Sequence, residues 1–177
     1  SRQIPVSRNS LSDLLEYYED AYLLFSVPEF TRSLANNTRS ASKVYAVDPA
    51  MFGAFSPASA LDQGQRLETA VFNALRRRTP AVRIGSVCRL LIKEKSKSHE
   101  VDFVAGDALL MRAYSLIQVS VDMASEKTRE REIAALDASM AQFDLGESAI
   151  VTMDEQADIP CEHGVVHVVP AWKWLLA

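Results

Sequence analysis

The segment His99-Glu100-Val101-Asp102-Phe103-Val104 has the apolar character of a core β-strand but carries two acidic side chains. A second strand-like segment, 115–122, follows it and contains Gln118 among apolar residues. Because side chains alternate along a strand, we expect Glu100 and Asp102 to face the same side. A carboxylate in a buried strand is costly unless it binds a metal ion, a hydrogen-bond donor or a cation. These two segments therefore predict a polar site built into a sheet.

Hydrophobic periodicity around these segments predicts a mixed sheet flanked by helices. The predicted elements are helix 63–78, strands 82–93, 100–105 and 115–122, helix 126–143, strands 148–153 and 165–169, and helix 172–176. A turn at 95–98 makes the first two strands antiparallel. A helix between strands 115–122 and 148–153 favours a parallel crossover. The fold class is therefore α/β with a mixed sheet.

The chain divides into two predicted regions. Residues 1–42 contain a predicted helix at 10–21 and short strands at 21–27 and 29–34, which resemble the end of a winged-helix module. Residues 43–177 hold the α/β domain. Because the chain starts with Ser1 and enters a polar segment directly, we expect it to be part of a longer protein.

Composition limits the class of protein. With 177 residues, 48% of them apolar, the chain suits a core of ordinary size. Its two cysteines form no Cys-x-x-Cys pair, which fits free thiols in a reducing cytoplasm. No apolar run approaches the roughly 20 residues that span a bilayer, so we expect a cytoplasmic protein without a membrane partner. The net charge of −4 argues against a broad positive surface for nucleic acids.

Positive charge is nevertheless concentrated in one segment, 76–97. It contains one acidic residue, Glu94, and eight basic ones. Such a patch can contact phosphates, although a solvated helix end and hairpin tip is the plainer interpretation. The candidate nucleic-acid contacts in this segment are Arg76, Arg77, Arg78, Lys93, Lys95 and Lys97.

The element order resembles the restriction-endonuclease-like, or PD-(D/E)XK, fold, with Glu68 on the first helix, Asp102 on the second strand and Gln118 on the third. Several segments, in order, are also similar to the uncharacterised C-terminal domain of prokaryotic AAA-type ATPases. These are Asp20-Ala21-Tyr22-Leu23-Leu24-Phe25, Lys43-Val44-Tyr45-Ala46-Val47-Asp48-Pro49, Gly64-x-x-Leu67-Glu68-x-x-Val71-Phe72, Glu100-Val101-Asp102-Phe103-Val104, Ile117-Gln118-Val119 and Arg131-Glu132-x-x-Ala135-Leu136. The sequence has no phosphate-binding loop motif of the Gly-x-x-x-x-Gly-Lys type. The resemblance therefore implies that ATP would bind an N-terminal ATPase module beyond this sequence.

The resemblance implies a Mg²⁺ or Mn²⁺ site formed by Glu68, Asp102 and Gln118. Hard oxygen ligands suit these ions, although the Gln118 amide brings no negative charge. Ser120 stands where the family has its catalytic lysine, and a hydroxyl cannot stabilise charge as an ammonium does. Lys93, near the end of the preceding strand, or Lys127, at the start of the following helix, could supply the missing cation.

Three functions remain open from the sequence. The first is a catalytically impaired DNA- or protein-binding module of an AAA-type ATPase. The second is a Mg²⁺-dependent DNA endonuclease that uses Glu68, Asp102, Gln118 and a relocated lysine such as Lys93. The third is a structural domain, with oligomerisation possible.

Two other groups of residues have simpler interpretations. Cys161, His163 and His167 do not match a common zinc spacing. The Arg129-Glu130-Arg131-Glu132 run is expected to form a salt-bridged helix face.

Overall fold

The computed structural model describes residues 7–33, 42–51, 60–78, 86–93 and 98–177. Its helices are α1 (Arg8–Asp20), α2 (Ala60–Arg78), α3 (Glu126–Phe143) and α4 (Ala171–Leu176). Its strands are β1 (Leu24–Val27), β2 (Lys43–Ala46), β3 (Val87–Lys93), β4 (Ser98–Asp107), β5 (Arg112–Val119), β6 (Glu147–Thr152), β7 (Ala157–Pro160) and β8 (Val165–Pro170). None of the helices in these residues is long and apolar enough to cross a membrane.

Six strands form one mixed sheet in the order β3-β4-β5-β6-β8-β7. The β3–β4 and β4–β5 pairs are antiparallel, and the β5–β6 and β6–β8 pairs are parallel. This confirms the predicted hairpin and the predicted crossover through α3. Strand β7 was not predicted, because it is a short, largely exposed edge strand without apolar alternation.

Helices cover both faces of this sheet. On one face, Leu136 and Met140 of α3 pack into the main apolar cluster with Leu116 and Ile150 of the sheet. On the other face, α2 and α4 pack against the sheet in a second cluster. The apolar face predicted for α2 is buried in this second cluster, through Leu67, Val71, Phe72 and Leu75.

Strands β1 and β2 form a separate antiparallel pair, with Val27 opposite Lys43. The strand predicted at 29–34 is wrong for residues 29–33, where Glu29 makes only an isolated bridge to Arg89. The predicted domain boundary after residue 42 falls between two strands that pair with each other. The β1–β2 pair packs on α2, where the rings of Tyr45 and Phe72 stack with centroids 4.7 Å apart. This contact brings β2 next to the carboxylates of α2 and β4.

A close backbone contact fixes the start of β8, and it supplies a test of the fold. A Cβ atom on Gly164 would lie 2.2 Å from the carbonyl oxygen of Gly146, whereas one on Gly146 would meet nothing within 4 Å. Val165 N–H donates to that same oxygen at 2.9 Å, so the two segments cannot easily separate.

We therefore expect Gly164→Ala to lower the free energy of unfolding by about 2 kcal/mol or more, through backbone overpacking. The matched change Gly146→Ala should stay within about 0.5 kcal/mol of the unchanged protein. Urea unfolding of the two variants measures the difference. Equal stabilities would contradict this backbone arrangement.

Candidate functional site

A lysine ammonium surrounded by three carboxylates forms the centre of the site. Lys43, on β2, places its Nζ 2.9 Å from Glu68 Oε1, 3.0 Å from Glu100 Oε1 and 2.8 Å from Asp102 Oδ1. Glu68 comes from α2, and Glu100 and Asp102 come from β4. The shared contact with Nζ confirms that the two β4 carboxylates face the same side.

Tyr45 holds Glu68 in this arrangement. Its hydroxyl donates a hydrogen bond of 2.6 Å to Glu68 Oε1, the oxygen that also contacts Lys43. Since Lys43 and Tyr45 are two residues apart on β2, they project to the same side of the strand. The buried ring of Tyr45, packed on Phe72 and Phe103, therefore positions Lys43 as well.

Asp102 lies where β4 and β5 stop pairing through their backbones. The described register between these strands runs up to Phe103 opposite Ile117. Beyond it, Gln118 Oε1 accepts a hydrogen bond from Asp102 N at 3.0 Å. The Val119 N–H in turn donates to Asp102 Oδ2 at 3.0 Å. Gln118 thus holds the backbone of Asp102, and the Val119 N–H holds its Oδ2 oxygen. The second carboxylate oxygen, Oδ1, faces Lys43.

A cavity of about 300 Å³ opens beside these groups. It brings residues of α3 together with residues of β2, β4 and β5; its lining is Lys43, His99, Glu100, Asp102, Gln118, Arg131, Glu132 and Ala135. The predicted salt bridge on α3 is present between Arg131 and Glu132. However, Glu132 is buried and faces the cavity, so this part of the run is more than a solvated helix face.

Crowded negative charge governs the electrostatics of the site. Burial raises the pKa of Asp102 to about 6, and Glu68 adds to this effect, although Lys43 opposes it. Burial alone would lower the pKa of Lys43, but the Asp102 and Glu68 carboxylates outweigh it and the pKa rises. Burial and Glu68 also raise the pKa of Tyr45. Lys43 therefore stays protonated, and Tyr45 stays a hydrogen-bond donor, at neutral pH.

The structure describes the side chain of only one of the two lysines that the sequence suggested for the missing cation. Ser120 donates to the backbone oxygen of Asp122 and is not part of the cavity lining. Lys127 is exposed and does not line it either. Lys93 ends β3, and its side chain lies outside the described part of the structure. Lys43 provides the cation instead; the signal was the Lys43-Val44-Tyr45 alternation, which puts lysine on the face of a core aromatic.

The predicted nucleic-acid contacts at the end of α2 take part in packing. The Arg76 guanidinium lies 3.5 Å from the centroid of the Phe25 ring. Arg78 donates to the Trp174 carbonyl at 2.7 Å and lies over its ring, although it is exposed, as is Arg77. Lys95 and Lys97 lie outside the described residues. A nucleic-acid surface in this segment therefore stays a prediction.

The C-terminal histidines form carboxylate contacts. His163 Nδ1 lies 3.2 Å from Asp137 Oδ2, and His167 Nδ1 lies 2.7 Å from Asp158 Oδ1. Asp137, Glu162 and His163 place potential ligand atoms within 4.8 Å of one another. Two of the three are exposed, and the His163–Asp137 contact accounts for their proximity.

Comparison with known proteins finds a relative of unknown function. The chain is 33% identical over 178 aligned residues to the uncharacterized protein MJ1544 of Methanocaldococcus jannaschii. The alignment covers 97% of this chain, which spans 37% of the length of that protein. No family model matches the chain, and no solved structure matches it.

The raised pKa of Asp102 predicts how the free energy of unfolding depends on pH. A carboxyl that is easier to protonate in the folded state than in the unfolded state favours folding at low pH. Its contribution is full below about pH 4 and is lost as the pH rises through the folded pKa of about 6. Asp102→Asn removes this titration while it keeps the shape of the side chain.

We expect the unfolding free energy of the unchanged protein to fall relative to Asp102→Asn as the pH rises from 4 to 7. The relative change should be on the order of 3 kcal/mol, at 1.36 kcal/mol for each pKa unit. Urea unfolding of both proteins across this range measures it. A constant difference between the two would show that Asp102 does not titrate abnormally.

Proposed function

We propose that the chain contains a divalent-metal-dependent nuclease module with a restriction-endonuclease-like core, in which Lys43 takes the role of the lysine that Ser120 replaces. The observation that carries this proposal is the contact of Lys43 Nζ with Glu68, Glu100 and Asp102, at 2.8–3.0 Å. From the sequence alone, Lys93 and Lys127 were the candidates for this cation. Lys43 supports the endonuclease alternative over the impaired one because it supplies that cation from another strand.

The excess of negative charge favours a ligand over a purely structural ion cluster. Three carboxylates surround one ammonium, and Arg89 is more distant, 3.9 Å from Glu100. In an ion cluster with only a stabilising role, we expect the positive and negative charges to balance. Apolar side chains of similar size would often stabilise the fold equally well at such a position. Burial raises the pKa of Asp102, and the neighbouring Glu68 carboxylate raises it further. A divalent cation would offset this surplus.

The donor set fits Mg²⁺ or Mn²⁺. Glu68, Glu100 and Asp102 offer hard carboxylate oxygens, and Gln118 offers an amide oxygen that already accepts one hydrogen bond. When bound, such an ion would polarise a phosphodiester and screen the charge that develops during hydrolysis. Tyr45 would keep Glu68 oriented, and the Val119 N–H would keep Asp102 oriented.

Lys43 would act electrostatically rather than as a base. Its raised pKa keeps the ammonium protonated at neutral pH, so it cannot accept a proton from water. An ammonium positioned in a partly buried site can stabilise a phosphate oxygen as negative charge develops there. This is the task that a serine hydroxyl at position 120 cannot perform.

A second candidate function is binding without cleavage. Lys43 already donates hydrogen bonds to Glu68 and Asp102 and lies in ion-pair contact with Glu100, so the cluster is stabilised without a metal ion. In that case the module would hold DNA or a protein partner for the rest of a longer chain. We also propose that this longer chain includes an AAA-type ATPase module, which would bind ATP. The length of the relative, of which this chain spans 37%, leaves room for such a module.

The decisive experiment combines Mn²⁺ calorimetry with cleavage assays on linear and branched DNA. We expect the unchanged protein to bind Mn²⁺ and to cleave, and Asp102→Asn to lose both properties. Lys43→Gln should still bind Mn²⁺, because its removal frees carboxylate oxygens. It should cleave at least about 100-fold more slowly, as expected for loss of a positioned electrostatic group.

Lys127→Gln is the matched control, since it removes an exposed lysine outside the cavity, and it should leave cleavage unchanged. Circular dichroism checks that each variant is folded. Mn²⁺ binding without cleavage by the unchanged protein would favour the binding function. Failure to bind Mn²⁺ would overturn the metal site and favour a structural role.

A further inference from the structure

The part of the cavity wall near α3 carries groups that the carboxylate cluster does not use. Arg131 and Glu132 come from α3 and His99 comes from β4, and all three line the same cavity as Lys43. We propose that Arg131 and His99 bind a phosphate of a nucleic-acid backbone there, with Glu132 as the residue that positions Arg131. This inference rests on the proposed nuclease function and assigns its substrate-binding groups.

The Arg131–Glu132 pair is built in a way that suits an anion. The Glu132 side chain is only 8% exposed, whereas that of Arg131 is 65% exposed. Both Nε and Nη2 of Arg131 donate to Glu132 Oε1. A guanidinium has five N–H donors in a planar fork, so this contact leaves donors available for phosphate oxygens. Glu132 thus fixes the orientation of a group that still faces solvent.

Stability alone does not account for this pair. Burying a carboxylate is costly, and an exposed cation repays little of that cost because solvent screens the interaction. The cost of burying Glu132 is explained if its carboxylate is needed to hold the Arg131 guanidinium at the cavity. Glu132 is therefore a positioning residue in this proposal, and Arg131 makes the contact.

His99 provides an independent observation. Its Nδ1 is buried and has no hydrogen-bond partner among the described residues. An unpaired buried polar atom is costly, and such atoms in folded proteins call for a specific explanation. His99 lines the cavity, but this nitrogen has almost no exposed surface as the ring stands. A rotation of the imidazole ring would turn it toward the cavity, where a phosphate oxygen would accept its hydrogen bond.

The charge of the cavity explains how one site can accept both a cation and a phosphate. With every group ionised, the lining carboxylates of Glu100, Asp102 and Glu132 face the lining cations Lys43 and Arg131. This sums to −1, which disfavours a phosphate. A bound divalent cation changes the sign to +1. We therefore expect nucleic-acid binding at the cavity to strengthen when the cation binds.

The test is fluorescence anisotropy with a labelled single-stranded oligonucleotide, measured with and without Ca²⁺, which offers the same hard charge with looser geometry. Arg131→Gln should weaken binding about tenfold, the usual scale for a charge-assisted hydrogen bond. The same variant should lower the slope of log affinity against log salt concentration by about one, as expected for the loss of one phosphate contact. Arg129→Gln, an exposed arginine on the same helix, is the matched control and should change affinity less than twofold.

Two further variants guard against a folding artefact. Arg131→Gln leaves Glu132 unpaired, so the double variant Arg131→Gln/Glu132→Gln removes both charges and should bind as weakly. His99→Phe keeps an aromatic ring and removes the unpartnered nitrogen. It should unfold at the same or a higher temperature, yet bind the oligonucleotide more weakly. If His99 were purely structural, the His99→Phe variant would not combine an unchanged or higher unfolding temperature with weaker oligonucleotide binding.

A neutral methylphosphonate oligonucleotide distinguishes phosphate contact from other binding, and it should not respond to Arg131→Gln. Equal affinities of the Arg131→Gln and Arg129→Gln variants for the charged oligonucleotide would overturn the inference. Mn²⁺ calorimetry on the same variants separates the two proposals. Unchanged Mn²⁺ binding alongside such a result would leave the metal site standing. If the unchanged protein does not bind Mn²⁺, that result would count against the nuclease proposal instead.

Discussion

One ammonium group holds the site together. The Nζ atom of Lys43 connects a hairpin outside the main sheet to a carboxylate on α2 and two on β4. Without it, Glu68, Glu100 and Asp102 would repel one another in a partly buried space. Repulsion of this kind either protonates a carboxylate or opens the structure. Burial raises the pKa of Asp102 and Glu68 raises it further, although Lys43 opposes both.

The same ammonium also defines what a metal ion would have to do. Lys43 contacts one oxygen of each carboxylate, so an incoming cation would share these oxygens with it or displace it. A site of this kind is stable without metal and binds metal less tightly than three free carboxylates would. Moderate affinity is compatible with Mg²⁺, which usually keeps several waters and few protein ligands. Under the proposed function, the balance between ammonium and metal would separate cleavage from binding at this site.

Local patterns predicted most elements of the fold, but not the contacts between distant segments. Helix α3 was predicted with its observed bounds from hydrophobic periodicity. In the structure, Ser125 caps its start and Asp144 adopts a left-handed conformation after it. Asp102 and Gln118 stood out as polar residues in apolar strands, whereas Glu68 was singled out by the resemblance to the restriction-endonuclease-like fold. Lys43 was missed because it lies 25 and 59 residues from Glu68 and Asp102. The alternation around Lys43 indicates which face of its strand it occupies, but not which distant carboxylates it contacts.

The dependence on Lys43 makes the β1–β2 hairpin part of the site rather than an appendage to it. The hairpin is positioned by the ring of Tyr45 on Phe72 and Phe103, and the hydroxyl of the same ring fixes Glu68. Any motion that separates Tyr45 from α2 would withdraw both the cation and the hydrogen bond that orders a carboxylate. Small paired-strand units with few buried contacts are among the first to open locally. Packing of this hairpin therefore controls whether the carboxylates are presented as an ordered cluster.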